Sequence, residues 1–305
     1  MLKRRHIHAV LLLLLAFLGA AQAQQAAPSQ PKPRRVLMWK AASPTATVYL
    51  VGSIHLGDSS MYPLPKEVES AFAAAKVLAV EINIKNADQA KMIGLIQKYG
   101  LYTADDSLTK HLSKETQAAL DDFCTRHNVP LQGMEQLKPW VVAVTIAAMA
   151  WQQAGEDPSF GIDMHFLDES KPPQRIDELE TMESQLAIFA EATEEEQQSM
   201  LAATLKQGDK TKDIIKRTQA AYVAGDPDAL QKVMDEQDDV GSKSLEKKLL
   251  DDRNVVMAGK MDEYLKGKEP IFVVVGAAHI IGDKGIAKQL RDKGYKVEQV
   301  VLEAK

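Results

Sequence analysis

Two histidines occur at the same distance after a glycine, and each follows a run of strand-forming residues. TVYLVGSIHLG at residues 47–57 contains Gly52-x-x-His55, and PIFVVVGAAHIIG at residues 270–282 contains Gly276-x-x-His279. A glycine at this position permits the sharp turn that aims an imidazole away from a strand end. A single histidine of this kind is more often a satisfied polar residue. Two matching elements instead favour a shared site, provided that their strands are neighbours.

Glu81 is the third candidate site residue. It lies within VLAVEINI at residues 77–84, an apolar run that predicts a buried strand interrupted by this carboxylate. A buried carboxylate is costly without a partner, so we expect Glu81 to pair with a basic side chain or to meet a cation. It could also serve as general base on a metal-bound water. Two histidines and a carboxylate form a common ligand set for a divalent metal. The sequence therefore predicts a metal site of His55, Glu81 and His279.

Further polar residues have both a functional and a structural interpretation. Arg253, in LLDDRN, is either solvated, or pairs with Glu81, or holds an oxyanion. Glu180 and Glu183, in LETMESQ, either share a helix face near the site or form a solvated acidic face. His165, in GIDMHFL, is interpreted as a core residue or as one that supports the site from outside.

Composition and motif content exclude several classes of function. The chain has 37 basic and 42 acidic residues and no basic stripe, so nucleic acid is not an expected partner. The motifs of serine hydrolases, nucleotide-binding P-loops, dinucleotide-binding domains and zincins are all absent from the sequence. Cys124 is the single cysteine, so an internal disulfide is impossible, and its apolar neighbours predict a buried core residue.

The N-terminal residues have the pattern of a secretory signal. Three basic residues at 3–5 precede an apolar segment at 9–20, and Ala21-Gln22-Ala23 fits a signal-peptidase site. A membrane span needs about 20 apolar residues, so a cleaved signal over 1–23 is favoured over an uncleaved anchor. The Pro-rich stretch 24–35 predicts a disordered leader. We therefore expect a periplasmic or secreted protein that begins at Gln24, has no membrane span after cleavage, and folds as one domain over 36–305.

The pattern of apolar runs predicts an α/β fold. The runs at 36–39 and 47–51 predict a β-hairpin, and the last 36 residues predict a strand, a helix and a strand at 271–275, 284–293 and 295–302. The middle of the chain, at about 87–266, is predicted to be a large helical insertion with a short strand in QRIDELE at 174–180. Helices are expected at 87–99, 113–126, 139–154, 161–169, 182–207, 211–224, 227–239 and 241–266. Together the two β-rich ends predict a mixed, mostly parallel sheet.

The predicted fold also predicts where the site lies. Ligands of α/β sheets bind beyond the carboxyl ends of the strands, where His55 and His279 would both be found. If the two strands are close in one sheet, the imidazoles and Glu81 converge to within about 10 Å, the limit for sharing one ion or small ligand.

These motifs, in their order, resemble the TraB/GumN family, whose animal relatives are the Tiki proteins. The resemblance covers nearly all of residues 36–305. Beyond the paired Gly-x-x-His elements and Glu81, the matching segments are 37–40 (LMWK), 62–65 (YPLP), 139–140 (PW), 161–163 (GID), 179–183 (LETME), 253–254 (RN) and 282–285 (GDKG).

The resemblance implies a fold related to the erythromycin-esterase-like and ChaN-like proteins. Tiki proteins are described as proteases dependent on a divalent metal, with manganese or cobalt favoured over zinc. Carried onto this chain, it implies that His55 and His279 are the paired histidines, Glu81 the glutamate and Arg253 the arginine. Bacterial members mostly lack an established substrate: GumN is associated with an exopolysaccharide locus and TraB with pheromone shutdown. The family therefore does not decide the reaction.

Two hypotheses follow for the function. The first is an exported, divalent-metal-dependent hydrolase of peptides or proteins. In it His55, Glu81 and His279 hold the ion, Arg253 stabilises developing negative charge, and Glu180 assists proton transfer. The second is a non-catalytic cell-envelope protein that binds a metal, haem or a peptide in the same cleft. An open coordination position beside a groove would favour the hydrolase. The sequence does not indicate an oligomeric state.

Overall fold

Six strands form the sheet of this protein, for which a computed structural model describes residues 35–236 and 243–303. The strands are β1 (Arg35–Ala42), β2 (Thr47–Ser53), β3 (Val77–Val80), β4 (Arg175–Glu178), β5 (Ile271–Gly276) and β6 (Lys296–Val301). Their order in the sheet is β4-β3-β5-β2-β1-β6. The first four in this order are mutually parallel, whereas β1 is antiparallel to both β2 and β6. The prediction of a mixed, mostly parallel sheet built from both ends of the chain is confirmed.

Continuous apolar runs produce the central strands. Every residue of β3 is buried, and in β5 all but Gly276 are. Runs of this kind belong to strands covered on both faces, and two separate hydrophobic cores lie against this sheet. The predicted hairpin is also confirmed: β1 and β2 pair with Met38 opposite Val51, around a turn closed by the Ser43 N–H donating to the Ala46 carbonyl.

Thirteen helices lie among the described residues. They are α1 (Lys66–Ala74), α2 (Gln89–Gly100), α3 (Lys114–His127), α4 (Pro139–Gln153), α5 (Ile162–Glu169), α6 (Met182–Ala190), α7 (Glu194–Gln207), α8 (Thr211–Val223), α9 (Pro227–Asp235), α10 (Lys243–Leu249), α11 (Asp251–Lys266), α12 (Ala277–Ile280) and α13 (Ile286–Asp292). Most of the predicted helices are present with ends shifted by a few residues. The buried Cys124 lies in α3, in the core where it was expected.

Two predicted helices are each divided in two. The segment 182–207 breaks between α6 and α7, where Thr193 caps α7 and forms a capping box with Glu196. The segment 241–266 breaks at Leu250, whose backbone (φ −123°, ψ −70°) is not helical. The helical middle also includes the short strand expected in QRIDELE, because β4 joins the sheet beside β3.

Several expectations concern residues outside those described. The predicted signal at 1–23 and the leader up to residue 34 belong to this part. So do residues 237–239 of the predicted helix at 227–239 and residues 241–242 of the predicted helix at 241–266. Within the described ranges, every helix is too short or too polar to cross a membrane.

An aromatic cluster joins the sheet to two helices on one face. Phe272 of β5 packs against Phe72 of α1 and Phe166 of α5, with ring centroids 5.4 and 4.7 Å away. The two helix rings are 4.9 Å from each other. This contact positions α5, which begins with Ile162-Asp163, near the carboxyl ends of the strands.

Candidate functional site

Four adjacent parallel strands end at one edge of the sheet, and each is followed by a polar candidate residue. Glu180 follows β4, Glu81 follows β3, His279 follows β5, and His55 follows β2. Glu81 was predicted inside a strand, but β3 ends at Val80, so Glu81 is the first residue beyond it. At this position the carboxylate can reach polar partners, which it could not do between two apolar layers.

The two imidazoles and Glu81 border a common space beside Gly276. A side-chain carbon placed on Gly276 would lie 3.4 Å from Oε1 of Glu81, 3.4 Å from Cδ2 of His279 and 3.8 Å from Nε2 of His55. Those distances put His55 Nε2 and His279 Cδ2 within about 7 Å of each other (3.8 and 3.4 Å from the shared point). Nε2 of His279 is 3.9 Å from Oε1 of Glu81. The glycine thus leaves room for a ligand between the three side chains.

This space belongs to a cavity of about 110 Å³. Its apolar wall includes side chains of α6, α9 and α10. Its polar lining consists of Ser53, His55, Glu81, Gln185, Arg253 and His279.

His55 is anchored by a carboxylate. Its Nδ1 lies 2.7 Å from Oδ1 of Asp163, the same oxygen that accepts a hydrogen bond from Ser53 Oγ. Burial alone would lower the pKa of His55, but the Asp163 carboxylate outweighs it and raises the pKa to about 9. The imidazole in turn holds the pKa of Asp163 below its usual value despite burial. Nε2 of His55 is left to face the cavity.

His279 is anchored by an amide. Its Nδ1 lies 2.7 Å from Oδ1 of Asn254, whose Nδ2 donates to the Lys284 carbonyl at 3.1 Å. Because the amide nitrogen is used in that bond, its oxygen faces His279 and must accept, which places the proton on Nδ1. Burial, with a further contribution from Arg253, lowers the pKa of His279 to about 3. The imidazole is therefore neutral, and its Nε2 lone pair points to the cavity.

Arg253 connects two of the carboxylates. Its Nη2 donates to Oε2 of Glu81 and to Oε2 of Glu180, both at 2.5 Å, and its Nε donates to Oε1 of Glu180 at 2.8 Å. Gln185 of α6 donates to both carboxylates as well, while the Gly276 N–H donates to Oε1 of Glu81 at 2.6 Å. Although burial acts to raise the pKa of Glu81, Arg253 and the nearby histidines lower it, so the carboxylate stays ionised.

Two candidate residues lie elsewhere. Glu183 points to Tyr99, whose hydroxyl donates to it at 3.2 Å. His165 lies 3.2 Å from a carboxylate oxygen of Glu69 and packs against the Tyr62 ring. Neither residue lines the cavity.

Sequence reasoning assigned no role to three residues that shape the site. Asp163 and Asn254 anchor the two histidines, and Gln185 contacts both carboxylates. The only signal for two of them was their presence in the short segments 161–163 and 253–254 that match the family pattern.

The donor atoms suit a divalent cation in type and orientation. Each imidazole is fixed through Nδ1 and presents Nε2 to the cavity, the arrangement usual for metal-binding histidines, and Glu81 adds a carboxylate oxygen. Their present spacing is wider than a metal shell: in the described ranges, no three His, Cys, Asp or Glu side chains are already close enough to hold an ion. Binding would therefore require these side chains to move closer together.

The α/β sheet and its paired strand-end histidines define the class of protein to which the chain belongs. The TraB/PrgY/gumN family pattern matches residues 37–299, and this protein is a member of that family. It is similar to the uncharacterized protein YbaP of Escherichia coli (strain K12), with 23% identity over 244 residues, which cover 80% of this chain and 87% of the relative. An uncharacterized protein of Treponema pallidum (strain Nichols) is 23% identical over 239 residues, which cover 74% of this chain and 70% of the relative. No solved structure matches the chain.

Proposed function

We propose that this protein is an exported hydrolase of peptides or proteins that depends on a divalent metal held by His55, Glu81 and His279. The observation that supports it most directly is the charge of the site. Three carboxylates surround it, those of Glu81, Glu180 and Asp163, and their side chains are only 8–12% exposed. Manganese or cobalt is proposed as the ion on the family resemblance.

The charge count favours a doubly charged cation. Arg253 supplies one positive charge to the three carboxylates. When no ion is bound, His55, whose pKa is raised to about 9, supplies a second positive charge, so one negative charge remains. Metal-binding imidazoles must be neutral, so an ion would displace that proton and meet two uncompensated negative charges. Uncompensated buried charges are strongly destabilising, and one divalent ion would balance them.

The roles of the individual residues follow from their contacts. A bound divalent ion would supply an activated water and polarise a carbonyl group. Asp163 and Asn254 keep the two Nε2 atoms directed at the cavity. Arg253 lines the cavity and provides a fixed positive field for developing negative charge. Glu180 does not line the cavity but accepts hydrogen bonds from Arg253. Its proposed role is therefore to position that guanidinium and no longer to assist proton transfer.

A histidine substitution with a matched control tests the proposal. Metal content by mass spectrometry and digestion of a peptide library with manganese, cobalt or zinc are measured for wild type, His279→Ala and His165→Ala. We expect metal-dependent cleavage by the wild type and the control, and loss of both metal and cleavage in His279→Ala. Full metal binding and cleavage by His279→Ala would contradict the metal site.

The second candidate is a binding protein that uses the same cavity without catalysis. The small size of the cavity favours it, since about 110 Å³ is well below the roughly 300–1,000 Å³ of ordinary ligand pockets. Haem would not fit without a large rearrangement, so a metal ion or a peptide side chain is the better occupant. Metal binding without cleavage of any library peptide would favour this alternative.

Export is the remaining part of the proposal. It depends on the signal pattern at 1–23 and predicts a mature protein that begins at Gln24. The intact mass of protein recovered from the periplasm tests it. Retention of residues 1–23 in a membrane fraction would contradict it.

A further inference from the structure

Helix α6 forms one side of the cavity with two kinds of contact. Gln185 donates hydrogen bonds to Glu81 and Glu180, on the polar side. Ile188 and Phe189, one turn later, border the same cavity with apolar side chains. A single short helix therefore contacts the candidate catalytic groups and also presents an apolar surface beside them.

The apolar surface continues onto two other helices. Leu230 of α9 and Leu249 of α10 also line the cavity, and both are almost completely buried. Ile188 and Phe189 are only partly buried. None of these four side chains has a hydrogen-bonding atom, so water at this wall is poorly accommodated and an apolar group would gain by replacing it.

Helix α6 is less firmly packed than its neighbours. None of its nine residues is buried, whereas α4 buries seven of its fifteen. Its side-chain contacts are the Gln185 hydrogen bonds, the Tyr99–Glu183 hydrogen bond, the stacking of Phe189 on Trp140 with ring centroids 5.3 Å apart, and the partial packing of its apolar side chains against neighbouring clusters. Elements with little buried surface open at low cost, so we expect α6 to move away from the cavity more readily than α4.

We propose that Ile188 and Phe189 of α6 form a binding site for a branched aliphatic side chain of a peptide, next to the bond that is cleaved. The position of this site beside a cleaved bond rests on the proposed function. The size favours a small side chain, because the whole cavity, including its polar end, is about 110 Å³ and thus smaller than the roughly 150 Å³ cavity that holds benzene. The chemistry of the wall agrees as well, since the side chains of Ile188, Phe189, Leu230 and Leu249 offer neither a hydrogen-bond donor nor a cation to an acidic or polar side chain.

Binding and cleavage are measured separately so that the two proposals can fail independently. Doubly blocked tripeptides Ala-X-Ala, with X as Leu, Ser, Asp or Lys, are titrated calorimetrically into the full-length mature protein. We expect the Leu peptide to bind about 10-fold or more tightly than the Ser and Asp peptides. The same peptides, extended by two alanines at each end, are incubated with manganese or cobalt to score cleavage.

Variants on the same helix provide the matched comparison. Phe189→Ala and Ile188→Ala should each lower the affinity for the Leu peptide by about 10-fold and leave the Ser peptide unchanged. Leu186→Ala is the control, because Leu186 lies on α6 but packs against the main core instead of lining the cavity. If Phe189→Ala does not fold, the affinity of Ile188→Ala for the Leu peptide tests the side-chain site instead.

Two results would overturn the side-chain site. One is equal affinity for all four peptides, and the other is a loss of affinity for the Leu peptide in Leu186→Ala as large as in Ile188→Ala. Cleavage without an aliphatic preference keeps the proposed function and overturns this inference. Selective binding without cleavage under any metal keeps the inference and removes the hydrolase. 1-Octanol is titrated in the same way, and tighter binding of octanol than of any peptide overturns the peptide as occupant.

Discussion

At the scale of single residues, the site depends on two side chains that need not touch a ligand. Asp163 and Asn254 each accept a hydrogen bond at 2.7 Å from Nδ1 of a histidine. One anchor is a carboxylate and the other a neutral amide, so the two imidazoles differ electronically although their sequence motifs match. Substituting Asp163 or Asn254 should therefore change the metal affinity of the site, although neither residue is itself a proposed metal ligand.

The first prediction concerns Asn254. Asn254→Leu removes the acceptor that selects the His279 tautomer, and we expect divalent-metal affinity to fall by about 10–100-fold. Asn254→Asp restores an acceptor and should recover part of that loss. Calorimetric titration with manganese measures the affinity, and nitrogen chemical shifts of the imidazole report the tautomer. The exposed Asn86→Ala is the control, and an unaltered tautomer in Asn254→Leu would refute the argument.

The second prediction concerns Arg253, which is bonded to both Glu81 and Glu180. Arg253→Met leaves two buried carboxylates without their counterion and should destabilise the fold by about 3–5 kcal/mol at pH 8. The loss should be smaller at pH 5, because carboxylates without the guanidinium have raised pKa values and take up protons more readily. Arg253→Lys keeps the charge and should lose less. Urea unfolding at both pH values measures the loss of stability in each variant. Equal losses for Arg253→Met at pH 5 and pH 8 would contradict the assignment of the cost to unpaired carboxylates.

At the scale of elements, the connection between α4 and α5 contains a buried acid. Glu156 is 5% exposed, and its Oε2 accepts a hydrogen bond from Gln219 of α8 at 2.8 Å. The same amide also reaches Asp58, in the loop after β2, at 3.4 Å. Burial, helped by the Asp58 charge, raises the pKa of Glu156 from 4.5 to about 7. A neutral Glu156 therefore suits this junction better than an ionised one.

The third prediction is the pH dependence that follows. Between pH 4.5 and about 7 the folded protein holds a proton on Glu156 that the unfolded chain has released. The contribution of Glu156 to stability therefore falls as pH rises through this window and is lowest above it. Glu156→Gln should remove the effect and be more stable than wild type by about 1 kcal/mol or more at pH 8. At pH 4.5 the two proteins should be nearly equal.

Urea unfolding between pH 4.5 and pH 8 measures this difference. The exposed Glu263→Gln is the control and should parallel the wild type throughout. A constant difference between wild type and Glu156→Gln across the pH range would rule out a raised pKa as the cause.

At the scale of the whole molecule, the aromatic cluster of Phe72, Phe166 and Phe272 joins the central strand β5 to α1 and α5. Because α5 also carries Asp163, the core that supports the fold also positions an anchor of the site. A loss of packing here should therefore affect both stability and the orientation of His55.

The fourth prediction follows from the complete burial of Phe272. Phe272→Ala should destabilise the protein by about 3–5 kcal/mol, through lost burial and the cavity left behind. Val301→Ala, at a 47% exposed strand residue, should change stability by about 0.5 kcal/mol or less. Denaturant unfolding of the two variants measures the contrast. A cost below about 1 kcal/mol for Phe272→Ala would show that the cluster does not support the fold.

The elements that were predicted well have local signals. Apolar runs predicted β2, β3 and β5, and the N-cap residues Ser113 and Asp226, which are recognisable in the sequence, mark the starts of α3 and α9. The division at 191–193 was missed although Thr193 and Glu196 form a capping box, because the helical pattern continued on both sides. The break at Leu250 has no comparable signal, and its non-helical backbone is a property of the folded chain.

Amino-acid order alone was enough to identify most side chains of the candidate site and the strands that they follow. Gly-x-x-His occurs twice after a strand-forming run, which predicts that each histidine lies beyond the carboxyl end of a strand and that the two converge if their strands are neighbours. The hydrogen-bond partners of these side chains, in contrast, were visible only in the folded protein. Asp163 reaches His55 across 108 positions, Gln185 reaches Glu81 across 104, and Asn254 reaches His279 across 25. Such contacts depend on how α5, α6 and α11 pack against the sheet, and that packing is settled by burial throughout the molecule rather than by any local pattern.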